Sequence, residues 1–183
     1  MLGNIAVAGS TAANFPITAG AFQTGLQAHC PYPFSLEPTG FLGTIVFTRM
    51  DDVFVTRLDP SGTSILSSTL LGGACYDQVD SIDVDSAGSV WLAGYTNSSP
   101  FPQVTPFASG PAYAQYKGFV AHFDAGGTTL LLSSYIDAGS SPAVVADQAG
   151  GAWVGGANAF GRIGPVPGQP PHDYGRGQLV HWT

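Results

Sequence analysis

The sequence predicts an all-β chain of short antiparallel strands, and three observations predict it: scarce charge, a recurring turn signature and internal repetition. Only 9% of the residues are charged, against roughly 25% in an ordinary soluble domain. Glu37 is the only glutamate and Lys117 the only lysine, so the material of amphipathic helix surfaces is missing. The chain has 25 Gly and 14 Pro, and much of the remainder is Val, Thr, Ser and aromatic, the profile of many strands joined by tight turns.

The turns come next. Asp59-Pro-Ser-Gly62, Asp85-Ser-Ala-Gly88, Asp124-Ala-Gly-Gly127 and Asp147-Gln-Ala-Gly150 share one form between apolar runs. The leading Asp bonds its own backbone and the closing Gly takes a positive φ, so each reads as a hairpin turn.

The strands between these turns repeat. Phe54-Val-Thr-Arg-Leu-Asp59 is echoed by Phe119-Val-Ala-His-Phe-Asp124 at an offset of 65, and Ile82-Asp-Val-Asp85 with Val90-Trp-Leu-Ala-Gly94 is echoed at 62 by Val144 to Gly156. Asn4-Ile-Ala-Val-Ala-Gly9 matches the strand beginning at Ser89, and Gly177-Gln-Leu-Val-His-Trp182 matches the one beginning at Gly118. The count is three strands, then four, then three. Apolar residues fall on both faces of each strand, as at Val90, Trp91 and Leu92, which suits sheets stacked face to face like propeller blades. An incomplete β-propeller of about ten strands, open rather than closed, is expected. Its first blade would span residues 4–71 with an insertion at 24–50, its second 79–136, and its third, incomplete, 142–183. Trp91 and its equivalent Trp153 are expected to pack between blades.

These residues resemble a known family. Asp52-Val-Phe-Val-Thr-Arg-Leu-Asp-Pro-Ser-Gly-Thr63, Leu66-Ser-Ser-Thr-Leu-Leu-Gly-Gly73, Asp77, Ile82-Asp-Val-Asp-Ser-Ala-Gly88 and Ala93-Gly94 resemble the SBBP beta-propeller repeat of large, mostly extracytoplasmic bacterial proteins. Asn14-Phe-Pro-Ile-Thr18 with Ala21-Phe-Gln23, and later Phe101-Pro102, resemble its inter-strand segment. The resemblance covers residues 4–23 and 51–156, about two and a half repeats, with departures at 24–50 and 160–171. It implies a propeller fold and a secreted, periplasmic or cell-surface location, and it carries no activity.

Charge excludes some partners. The net charge is −7, and Arg49, Arg57, Lys117, Arg162 and Arg176 lie scattered, so neither nucleic acid nor an anionic membrane surface is an expected partner. No apolar run reaches the length of a membrane span. The first nine residues lack a signal-peptide pattern and read as the middle of a strand, so a beginning further upstream is expected. Cys30 and Cys75 lie 45 residues apart in unlike contexts. They are expected as separate buried thiols rather than a disulfide.

No catalytic motif is present. Asp77, Asp80, Asp83 and Asp85 put four carboxylates within nine residues, and hard oxygen ligands at short spacing are calcium chemistry. The spaced-acid calcium loop is absent, however, and turn capping with an exposed acidic edge is the expected role; no other cofactor is implied. His122 and His181 share a repeat slot with Arg57, which points to a structural role such as a bond between blades. His29 and His172 fall in loops.

The long connections 12–50, 97–117 and 158–176 each join second to third strands and would emerge on one face. They carry Tyr32, Tyr113, Tyr116 and Tyr174, expected as an open ligand-binding surface for protein or glycan. The Phe residues of the same loops are expected mostly to pin them. The expected function is therefore a structural or binding module, associating with other blades or copies of the repeat. The alternative is a non-catalytic piece of a propeller hydrolase or lyase whose active site lies in other blades.

Overall fold

The structure, a computed structural model, describes residues 3–27, 30, 50–107, 116–137, 142–147, 149–156 and 160–163. Within them the chain is all-β. The strands are β1 (Ile5–Thr11), β2 (Asp52–Leu58), β3 (Ile65–Leu71), β4 (Asp77–Val84), β5 (Val90–Thr96), β6 (Lys117–Phe123), β7 (Leu130–Ile136), β8 (Ala143–Ala146), β9 (Ala152–Gly155) and β10 (Phe160–Ile163). They form three antiparallel sheets, β1-β2-β3, β4-β5-β6-β7 and β8-β9-β10. None closes on itself, and the arrangement is an incomplete, open propeller.

The four Asp-x-x-Gly turns do what their chemistry requires. Asp59, Asp85, Asp124 and Asp147 each accept backbone N–H bonds from residues two to five ahead through Oδ1. Gly62, Gly88, Gly127 and Gly150 all take φ between 71° and 86°, a region open to glycine at little cost.

Side chains alternate across each strand, and the two faces of the middle sheet enter two different cores. Val90, Leu92, Ala121 and Phe123 meet Val53, Val55 and Leu71 of the first sheet. Trp91, Ala93, Val120 and Ile136 meet Val144, Ala152, Val154 and Ile163 of the third. Trp91 is therefore buried between blades, whereas Trp153 is exposed on the outer face of the third sheet.

The Phe-Pro segments protect sheet edges. Ser68 Oγ donates to the Pro16 carbonyl at 2.6 Å, and its equivalent Ser133 donates to Pro102 at 2.7 Å. Thr18 and Val104 then bond the same two serines through backbone groups. Phe15 stacks on Phe54 with centroids 4.1 Å apart, and Phe101 lies 4.8 Å from the equivalent Phe119. The outer strands β3 and β7 are thus capped by loop backbone, which blunts edges that would otherwise template further pairing.

Two expectations are corrected. The third strand of the third sheet is β10, paired to β9 through Gly155–Phe160 and Trp153–Arg162. The expected strand at 177–182 lies outside the described residues, and residues 160–163 are not part of a long loop. A deletion before β8 and the Gly-rich sequence around β9 hid the short partner strand. Cys30 and Cys75 are not separate thiols but a disulfide, with Cα atoms 4.5 Å apart. Cys30 thus lies against the β3–β4 connection, a juxtaposition that sequence separation does not reveal.

Candidate functional site

Three polar or aromatic clusters stand out. The first occupies the end of the middle sheet from which residues 97–116 depart. Tyr76 precedes β4, Tyr95 sits near the end of β5 opposite Gln78, and Tyr116 precedes β6. Antiparallel pairing brings these three points together. The rings are 5.8 Å apart for Tyr76–Tyr95, 6.2 Å for Tyr76–Tyr116 and 5.5 Å for Tyr95–Tyr116, the last two edge to face. Gln78 Oε1 accepts from both the Tyr76 and Tyr95 hydroxyls, and Gln78 Nε2 donates to Asp80 at 3.1 Å. Tyr76 is buried, Tyr95 half-buried and Tyr116 half exposed, with Asp80 exposed beside them. Burial, followed by the neighbouring Tyr76, raises the Tyr95 pKa, so this hydroxyl stays protonated.

Of the four tyrosines singled out above, only Tyr116 falls in this cluster; Tyr32, Tyr113 and Tyr174 lie outside the described residues, as do His29, His172 and His181. Tyr76 and Tyr95 were missed because they sit at strand ends, where an aromatic reads as core. The cross-strand spacing of Tyr95 and Gln78 is the signal that would have found them.

The second cluster is a pair of enclosed carboxyls. Asp52 opens β2, Asp77 opens β4, and both lean over Gly72, where a Cβ would overlap the two side chains. Asp77 accepts from Thr96 Oγ1, from Ser98 Oγ at 3.0 Å and from the Gly73 N–H at 2.7 Å. Gln23 Nε2 donates to Asp52, and Gln23 Oε1 accepts from the Gly72 N–H. Burial pushes Asp77 up to about 7 and Asp52 up to about 6, against the hydrogen bonds that hold them down. Perturbed carboxyls in proximity are the raw material of acid–base catalysis, but both are fully buried, so no solute reaches them. They hold the Gly72–Gly73 connection between the first two sheets, Asp77 directly through the Gly73 N–H and Asp52 through Gln23.

The four acids of the Asp77 to Asp85 stretch therefore go to four different places. Asp77 is enclosed as above and Asp80 is exposed at a bulge between Val79 and Ser81. Asp83 Oδ2 accepts from the Ala146 N–H of the third sheet at 2.8 Å, and Asp85 caps its own turn. Among the described residues no three His, Cys, Asp or Glu side chains gather closely enough to hold a metal ion.

The third cluster is the repeated slot on the third strand. Arg57 Nη1 reaches across to the second sheet, donating to the Gly88 carbonyl at 2.6 Å and to that of Ala125. His122 makes no such reach. It stacks on Trp91 with centroids 3.9 Å apart, and its Nε2 is 3.8 Å from Asp85. Burial lowers its pKa, with Asp85 and Asp124 opposing. In the third sheet Arg162 stands opposite Trp153 in this slot, paired with Asp147 at 2.5 Å; His181 lies outside the described residues.

Compared with known families, residues 68–102 match SBBP, a beta-propeller repeat. No curated protein matches the chain. The matched stretch contains Gly72, Gly73, Asp77, the Asp85 turn, Gly94 and Phe101-Pro102, each with a structural role described above. At Gly94 a Cβ would overlap the Gln78 carbonyl beneath the bulge. The chain carries a repeat of the SBBP type, and the match describes its scaffold.

Proposed function

We propose that this repeat chain is a binding module of an extracytoplasmic propeller, and that it offers the loop end of its middle blade to a carbohydrate. The observation that carries the reading is the Tyr76–Tyr95–Tyr116 cluster. A half-exposed ring stands beside an amide and an exposed carboxylate, on a frame held by two cores. Flat apolar sugar faces stack on such rings, while hydroxyls exchange hydrogen bonds with planar polar groups. The Cys30–Cys75 disulfide supports an oxidising compartment. Among the described residues no helix is long and apolar enough to cross a membrane.

The test is calorimetric titration of the chain with a panel of neutral and acidic oligosaccharides. Tyr116→Ala is expected to weaken the best binder at least about tenfold, or about 1.4 kcal/mol, with Tm unchanged because the ring is half exposed. Equal affinity in the variant would remove Tyr116 from the site. Failure of the whole panel would shift the reading to a protein partner.

A further inference from the structure

The polar groups of the tyrosine cluster have fixed directions, and those directions bear on the charge of what it receives. The Tyr76 and Tyr95 hydroxyls both donate to Gln78 Oε1, and Gln78 Nε2 donates to Asp80 at 3.1 Å. Two hydroxyl protons and an amide proton are thus turned into the cluster, and the chain of donors ends on a carboxylate. That carboxylate is exposed, at the bulge between Val79 and Ser81 where the ladder is interrupted. Burial is the largest cause of the raised Tyr95 pKa, but Asp80 adds to it, so the field of the carboxylate reaches the ring.

Among the described basic residues none answers this charge. Arg57 directs its guanidinium at carbonyls of the β4–β5 and β6–β7 turns, at the opposite end of the middle sheet from residues 97–116. Arg162 is paired with Asp147. Lys117 follows Tyr116 in the chain but pairs with Thr96 across the ladder, and alternation puts it on the face opposite Tyr95. The chain as a whole carries −7, so the wider field has the same sign as Asp80.

We propose that the carbohydrate taken by this site is a basic one, an amino sugar with unacetylated, protonated amines, and that Asp80 selects it. The inference rests on the carbohydrate reading above and names the charge class within it. An ammonium donates to the carboxylate in a charge-assisted hydrogen bond, stronger than a neutral one. The half-exposed Tyr116 ring, 5.5 Å from Tyr95, adds the attraction of a cation for an aromatic face. Uronic or sulfated sugars meet the same field with the wrong sign.

The test is calorimetric titration of the full chain with glucosamine oligosaccharides, their N-acetylated counterparts and galacturonic acid oligosaccharides, at about pH 6, where the amines are largely protonated. The amine form should bind at least about tenfold more tightly than the acetylated form, a difference of about 1.4 kcal/mol, and the acidic form most weakly. Asp80→Asn removes the charge and keeps an oxygen for Gln78 Nε2. It should bring the amine and acetylated forms within about threefold of each other, with Tm unchanged, whereas Tyr116→Ala should weaken both. Added salt should erode the preference, because Asp80 is exposed.

Equal affinity for the amine and acetylated forms, both weakened by Tyr116→Ala, would leave the carbohydrate site standing and overturn the charge selection. An amine preference that survives Asp80→Asn would overturn it too. If no saccharide binds, the carbohydrate reading falls, and cyclohexylammonium against cyclohexanol, read from tyrosine ring NMR shifts, decides the charge selection alone. A response to the ammonium only, lost in Asp80→Asn, would uphold it; equal or absent responses would end it.

Discussion

Asp77 and Asp52 set the pH response of this protein from the scale of single residues. Both are raised by burial, Asp77 to about 7 and Asp52 to about 6, so the folded chain binds their protons more tightly than the unfolded chain does. Their contribution to stability is complete below the ordinary carboxylate value of 3.8 and is lost as pH rises through 6 and 7. The turn aspartates oppose this at the acid end. Asp59 is lowered chiefly by the Ser61 hydroxyl. Asp124 and Asp147 are lowered by turn N–H groups that outweigh the opposing effect of burial, and their contribution disappears as pH falls below the ordinary range. Tm should therefore peak near about pH 4–5 and decline toward about pH 8. Asp77→Asn should flatten the decline even if it lowers Tm throughout. A wild-type Tm that stays level from pH 5 to 8 would contradict the assignment. The turn role of these aspartates was legible in the sequence because one carboxylate oxygen of each caps its own turn, within five residues. The pairing of Asp52 with Asp77 was not legible, since it depends on two strands from different sheets converging over Gly72.

At the scale of elements, the sheets are held by side chains that cross from one to the next. Arg57 is the clearest case: it is buried, and it ties the β4–β5 and β6–β7 turns of the second sheet to β2 of the first. Arg57→Leu keeps most of the apolar stem but leaves two carbonyls without their charged donor. It should cost about 1.5–3 kcal/mol, read as a lower denaturant midpoint at unchanged slope. No change in midpoint would mean that the turns are satisfied without it. The repeat pointed to this slot because a polar residue recurred there on an otherwise apolar strand. It did not reveal that His122 would stack within its own sheet, or that Arg162 of a four-residue strand would stand opposite Trp153. β10 pairs through backbone to β9 and carries little pattern of its own.

At the scale of the whole molecule, the Cys30–Cys75 bond ties the insertion to the connection between the first two sheets across 45 residues. Closing a loop of that length in the unfolded chain is worth about 4 kcal/mol on chain-entropy grounds. The double substitution Cys30→Ser and Cys75→Ser should lower Tm by several degrees, about 2–8 °C per kcal/mol lost. Equal melts would show that the link does not restrain the unfolded chain.

Sequence alone determined the class of fold, the ten strands' grouping as three, four and three, and the positions of all four turns. These follow from short-range physics: two-residue alternation places apolar side chains, and Asp and Gly close a turn within four residues. Only tertiary structure decided which cysteines bond, that two carboxyls share one enclosed space, that residues 160–163 pair with β9 as a strand of the third sheet, and that Tyr76 and Tyr95 join Tyr116. Each of these contacts joins residues from different strands or loops. Their meeting depends on the register and stacking of the sheets, and that order in space is not written in any local stretch of chain.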